Sequence, residues 1–113
     1  MNIYHILNRK QWGEAEKRGF YAPDSLEKGG FIHCSTEKQV IPTANRRFRG
    51  SKDLLLLVVN PKKVKAKIVY EDLKGIGEDH PHVYGKLLLS EIESIAEFKP
   101  ESGGHFKRLP PQV

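Results

Sequence analysis

Gly29-Gly30-Phe31-Ile32-His33-Cys34-Ser35-Thr36 is the stretch around which the chain is organised. Two glycines release the backbone from what precedes them, and Phe31-Ile32 reads as a short buried strand. His33, Cys34, Ser35 and Thr36 follow where that strand runs out, and Glu37-Lys38-Gln39-Val40-Ile41 opens a helix. Ser35 or Thr36 is placed to cap it, with the reciprocal contact coming from Gln39 or the neighbourhood of Lys38. A strand that delivers an imidazole, a thiol and two hydroxyls to a helix start makes a place for an anion or polar ligand. The competing reading is a polar crossing of the core.

Upstream, Ile3-Tyr4-His5-Ile6-Leu7 suits a central strand covered on both faces. Tyr4 and Ile6 share one face, with Ile3, His5 and Leu7 on the other. His5 there is either a satisfied core group or a pocket lining. Asn8 is a natural cap for a helix carrying Trp12, Ala15 and Glu16, and Gly19 supplies its stop. Trp12 reads as a core anchor. Asp24-Ser25-Leu26-Glu27 forms a short capped turn.

Downstream, the helix after Thr36 carries Gln39, Val40, Ala44, Arg47 and Phe48 and runs to near Gly50, with Pro42 in its first turns. Arg46 and Arg49 lie one turn apart, spaced to grip a phosphate, or simply to form a solvated basic face. Leu54-Leu55-Leu56-Leu57-Val58-Val59 is the clearest strand, apolar without interruption and so buried on both sides. Ala66 to Glu71 alternates and reads as its half-exposed neighbour. Gly75 to Asp79 is an acidic loop. His80-Pro81-His82-Val83-Tyr84-Gly85 is extended, with His82 and Tyr84 on one face. Leu87 to Leu89 continues that strand, and Glu91 to Phe98 is a further strand or short helix. Residues 1–98 thus form one domain, and 99–113 a loosely packed tail rich in proline, glycine and charge.

The 113 residues suffice for a core without disulfides, and one cysteine excludes an internal disulfide or a CxxC site. The start lacks a signal-peptide pattern and no apolar run is long enough to span a bilayer, so a cytoplasmic protein without membrane association is expected. The net charge of +5 favours polyanionic partners, though only Lys62 to Lys67 forms a local basic run. Metal binding is disfavoured because His80 and His82 have no companion ligands at standard spacing. Cys34 as nucleophile is disfavoured because adjacent His33 points to the opposite face of an extended chain. A nucleotide or other phosphorylated ligand fits best.

Gly30-Phe31-Ile32-His33-Cys34-Ser35, Pro81-His82-Val83-Tyr84-Gly85, Ile3-Tyr4-His5-Ile6 and the Asp53 to Leu57 strand together resemble the domain of unknown function 952 family, from Ile3 to about Leu89. That resemblance implies an α+β fold like that of ADP-ribosyltransferases, a split and bent β-sheet with two or three helices around a nicotinamide-dinucleotide cleft. Within that group the chain is similar to RNA 2′-phosphotransferases. The implied catalytic set is His33, His82 and Tyr84. The implied ligand-binding set is His5, Ser35, Thr36, Gln39, Asn45, Arg46 and Arg47, with NAD as substrate. Transferases of this fold place a glutamate or glutamine near the cleft, and Glu71 and Glu91 are the candidates. Neither stands in a recognisable version of that motif, and the arginine set of the phosphotransferases is incomplete. The expected function is ADP-ribosyl or 2′-phosphoryl transfer on a nucleotide. The alternatives are a non-catalytic nucleotide-binding module and an RNA-contacting accessory protein.

Overall fold

The computed structural model describes residues 1–111. Strand β1 (Ile3–Asn8) leads into helix α1 (Arg9–Arg18). Asn8 caps α1 as its sequence suggests: Gln11 N donates to Asn8 Oδ1 at 2.8 Å, and Asn8 N to Gln11 Oε1 at 2.9 Å. The cap satisfies a donor that a helix start leaves without a partner. Gly19 ends the helix in the left-handed conformation, at φ 85°. β2 (Phe20–Tyr21), α2 (Asp24–Gly29), β3 (Ile32–His33) and α3 (Glu37–Arg47) follow. The remaining strands are β4 (Leu54–Val59), β5 (Lys67–Glu71), β6 (His80–Tyr84), β7 (Leu87–Leu88) and β8 (Ile92–Phe98). The class is α+β, with three helices and antiparallel strand pairs among the described residues. None of these helices is long and apolar enough to cross a membrane.

β4 is the centre of the first sheet, flanked by β1 and β8. All six of its residues are buried, because each face of the apolar run has its own core. Leu55, Leu57 and Val59, with Ile3 and Leu7, meet Ala15, Ile32, Val83 and Leu87. Leu54, Leu56 and Val58, with Tyr4 and Ile6, meet Val40 and Ala44 of α3 together with Phe98 and Phe106. Each fully buried side chain of this kind contributes about 1.5–3 kcal/mol. The exposed Arg9–Glu97 pair at 2.7 Å belongs to a class worth about 0–1 kcal/mol. Packing on β4 therefore dominates the fold.

A second sheet has the order β3-β6-β5, and β2 pairs with β7. The two three-stranded sheets meet at one bridge, where Tyr4 N donates to Ser35 O at 2.8 Å and Ser35 N to Tyr4 O at 2.7 Å. Beyond that bridge they share no ladder among the described residues.

Four expectations are corrected here. β5 does not neighbour β4; both edges of β4 are taken by β1 and β8, and β5 pairs with β6 instead. Leu87 to Leu89 does not continue β6. Gly85 intervenes, in a position where a Cβ would lie 2.8 Å from Ala66 Cβ, and β7 joins β2. α3 stops at Arg47, so Arg49 lies beyond it and donates to His105 Nε2 at 2.5 Å instead of sharing a helical face with Arg46. Lastly, the segment after residue 98 is packed and not loose. Phe106 is buried against Phe98, with ring centroids 4.7 Å apart. Asn45 clamps the Phe106 backbone, donating to its carbonyl at 2.8 Å and accepting from its N–H at 2.7 Å. The tail also crosses Gly50 so closely that a Cβ on Gly104 would lie 3.2 Å from Gly50 Cα. Gln112 and Val113 lie outside the described residues.

Glu91 resolves as a structural group. It is buried, and its two oxygens accept from Lys65 N and Leu88 N, both at 2.9 Å. Glu91→Gln puts an amide nitrogen against one of these donors. The expected loss is about 1–3 kcal/mol in urea unfolding, the cost of one part-buried N–H left unpaired.

Candidate functional site

Three strands from separate parts of the sequence bring the histidines together. β3 pairs with β6 so that His33 stands directly opposite His82. The two-residue strand period puts His80 and Tyr84 on the same face as His82. The His33 ring lies 5.0 Å from that of His80 and 5.3 Å from that of His82. Phe31 stacks on His82 with centroids 4.1 Å apart and planes 19° apart. In front of this wall is a cleft of about 680 Å³, bounded on its other sides by Arg46, Arg47, Lys28 and the segment from Glu71 to Ile76.

A smaller pocket of about 200 Å³ adjoins it, lined by Tyr4, His5, Ser35, Thr43 and Arg47 among others. His33, Arg47 and Ser25 border both cavities. Arg47 is exposed, in the last turn of α3, and has no salt-bridge partner among the described residues. The Thr43 hydroxyl, one turn earlier on α3, is buried without a partner among the described residues.

Residues 6–95 match the family model described as protein of unknown function, DUF952. The chain belongs to the DUF952 family. It is similar to the crystal structure of protein CC0527 from Caulobacter crescentus. The two are 32% identical over 95% of this chain and 94% of that one, with a TM-score of 0.85. The solution NMR structure of CC0527 gives 34% identity over 91% and 89% of the two chains, with a TM-score of 0.76. No curated protein matches.

In this DUF952 chain His5 is fully engaged. A carbonyl only accepts, so the 2.6 Å contact with His33 O requires that His5 Nδ1 carry the proton. Nε2 is then the acceptor for the Tyr21 hydroxyl at 2.7 Å. Burial lowers the His5 pKa to about 4, so the ring stays neutral at physiological pH. His5 thus frames the smaller pocket with no free nitrogen to offer. His33 is also held neutral. Burial, then the Arg47 charge, then the neighbouring histidines bring its pKa down to about 3.

Glu71 Oε2 receives the Tyr84 hydroxyl and also His82 Nδ1, the latter at 2.8 Å. The bond from Tyr84, and then that from His82, hold the carboxyl below the usual carboxylate range. Of the two candidate glutamates, Glu71 borders the cleft and Glu91 does not. Tyr84 stands behind Glu71, and Phe31, stacked on His82, supplies the aromatic wall of the cleft.

The start of α3 points elsewhere. Thr36 N donates to Gln39 Oε1 at 3.0 Å, the reciprocal half of the expected cap, while the Thr36 side chain makes no cap bond. Gln39 Nε2 in turn donates to Asp79 O at 2.7 Å and Glu78 Oε1 at 3.1 Å. With a carboxylate and a carbonyl already there, that end holds the acidic loop, and the arginines of the opposite end of α3 border the cleft. Thr36, Gln39 and Asn45 line neither cavity. Ser35 lines the smaller pocket. Cys34 is buried, and its thiol pKa is pushed up to about 12 by that burial, which makes it inert. Among the described residues no group of three His, Cys, Asp or Glu side chains could hold a metal ion.

His80, Thr43, Tyr21, Ser25 and Lys28 are among the cavity residues not picked out as site candidates from the sequence. His80 has the same alternation as His82 and Tyr84, a signal available in the strand period. Thr43 is four residues before Arg47, the spacing that puts two side chains on one helical face.

Proposed function

We propose that this protein has an ADP-ribosyltransferase-like fold and binds a nucleotide in the larger cleft, on which it carries out ADP-ribosyl or 2′-phosphoryl transfer. The observation that carries this reading is where the cleft lies and what borders it. It lies against the β3-β6-β5 sheet, with a wall of His33, His80 and His82 on one side and Arg46, Arg47 and Lys28 on another. A volume of about 680 Å³ falls in the range of small-molecule and cofactor sites. Arg47 and Arg46 neutralise the phosphates, Arg47 being without a carboxylate partner. His33, neutral, hydrogen-bonds a ribose hydroxyl or phosphate oxygen, and Ser35 does the same from the smaller pocket. Phe31 supports a planar ring.

A second reading, a binding module without chemistry, is favoured by the engagement of Glu71. Its carboxylate already serves two donors instead of standing free to stabilise a ribosyl cation. Calorimetry with NAD, ADP-ribose and a 2′-phosphorylated oligonucleotide tests the shared core of both readings. Arg47→Ala is expected to weaken binding by about 10–100-fold, the loss of a charge-assisted contact of about 1.5–3 kcal/mol. Absence of binding by the wild type sinks both readings. Binding that ignores Arg47→Ala but collapses with salt supports RNA contact through the basic surface instead.

A further inference from the structure

We propose that His82 and Glu71 form an acid–base pair in which Glu71 positions the ring so that His82 Nε2 takes a proton from an attacking hydroxyl or water. For its substrate this rests on the nucleotide reading above; for the state of the ring it rests on geometry alone.

The geometry fixes the tautomer. A carboxylate accepts and does not donate, so the 2.8 Å contact between Glu71 Oε2 and His82 Nδ1 places the proton on Nδ1. The Tyr84 hydroxyl donates to the same oxygen and so helps hold the carboxylate in place. In the neutral ring Nε2 then carries a lone pair. It has no hydrogen-bond partner among the described residues, and it is not among their sealed, unpartnered polar atoms. Phe31 stacked on the ring fixes its plane. His5 makes the contrast, since both of its nitrogens are engaged. A base held in place by an orienting carboxylate is the arrangement that proton abstraction needs. The charged and titratable groups around His82 are Glu71 on β5, Asp72 and Lys74 just after it, His80 and Tyr84 on β6, His33 on β3, Lys28 on α2, and Arg46 and Arg47 on α3. Of these, only Glu71 is a negative charge bonded to the ring.

With NAD and water the step balances as follows. The water oxygen bonds to the ribose C1′ while the bond from C1′ to the nicotinamide nitrogen breaks, and its electron pair leaves on nicotinamide. The water proton passes to His82 Nε2 and from there to solvent. The products are ADP-ribose, nicotinamide and one proton.

Diethyl pyrocarbonate, which acylates a bare imidazole nitrogen, tests the pair in the ligand-free protein. The modified histidines are identified by mass spectrometry across pH in wild type, Glu71→Gln and Tyr84→Phe, with thermal unfolding as a check on folding. Expected is modification of His82 and protection of His5. At the pH of the wild type's maximal rate, His82 modification should slow by at least about threefold in Glu71→Gln, because the carboxylate at Nδ1–H raises the electron density on Nε2. An unreactive His82, or a rate unmoved by Glu71→Gln, overturns the pair.

In a second arm, NAD binding is measured by calorimetry and nicotinamide release by chromatography. Release by the wild type, falling at least about 100-fold in His82→Gln with NAD still bound, supports the proton role. NAD bound but left intact by the wild type overturns the proposed step. No NAD binding at all overturns the nucleotide reading, and the acylation arm still decides the state of His82.

Discussion

Phe106→Ala is expected to cost about 3–5 kcal/mol in urea unfolding, the range for truncating a fully buried aromatic side chain. Phe106 is 2% exposed and is the tail's main contribution to the core that also holds Phe98, Val40 and Leu56. Its backbone is held at both its N–H and its carbonyl by Asn45, so little collapse is available to fill the hole. Against a typical stability of 5–15 kcal/mol for such a domain, this is a large fraction. Removing residues 99–113 altogether should therefore leave the domain unable to hold its fold at 37 °C. A loss under about 1 kcal/mol for Phe106→Ala would mean that the tail is an ornament on a domain that ends at Phe98.

Stability should also fall steeply on mild acidification. His5 has a folded pKa lowered to about 4 by burial, against about 6.5 when unfolded. Above pH 6.5 the ring is neutral in both states and titration contributes nothing. Below 6.5 the unfolded chain binds a proton that the folded chain refuses, so stability declines until the folded pKa is reached. Between pH 7.5 and pH 5, His5 alone costs about 2 kcal/mol, from roughly 1.5 pH units at 1.36 kcal/mol each. His33, lowered to about 3 by burial and by Arg47, adds in the same direction, with an effect reduced by its greater solvent contact. Denaturant unfolding at the two pH values measures the sum. His5→Asn should flatten the dependence even though it lowers stability at pH 7.5. Equal stability at both pH values in the wild type would mean that these rings are not held neutral.

What was legible in the sequence was mostly local. The Asn8 cap, the Gly19 stop and the Thr36–Gln39 contact each depend on residues within a few positions of one another; the first two have their expected form, and the third keeps its Gln39 half. The burial of β4 followed from its apolar run, and the two faces of β1 from its alternation. What failed to show was pairing at a distance. β5 alternates as a strand beside β4 would, and nothing in Lys67 to Glu71 says that β6 is its partner instead. The tail's composition suggested looseness because the decisive feature, one phenylalanine clamped by an asparagine 61 residues away, leaves no compositional trace. In the cavities, His33 and His82 were legible as a pair of candidates, and their placement in adjacent strands brings them to one wall. The helix start after Thr36 read as an anion site, yet Gln39 reaches 40 residues along the chain to the acidic loop and occupies it. Arg46 and Arg47 were visible; the fold set them against the cleft from the opposite end of α3.

Two-dimensional NMR of the wild type and Arg47→Ala, titrated with NAD, ADP-ribose and a 2′-phosphorylated oligonucleotide, tests the nucleotide cleft most directly. The expected result is saturable shifts at Phe31, His33, His80 and His82, with at least about tenfold weaker binding in Arg47→Ala. No shift at millimolar ligand, or shifts confined to Lys62 to Lys67, would contradict it.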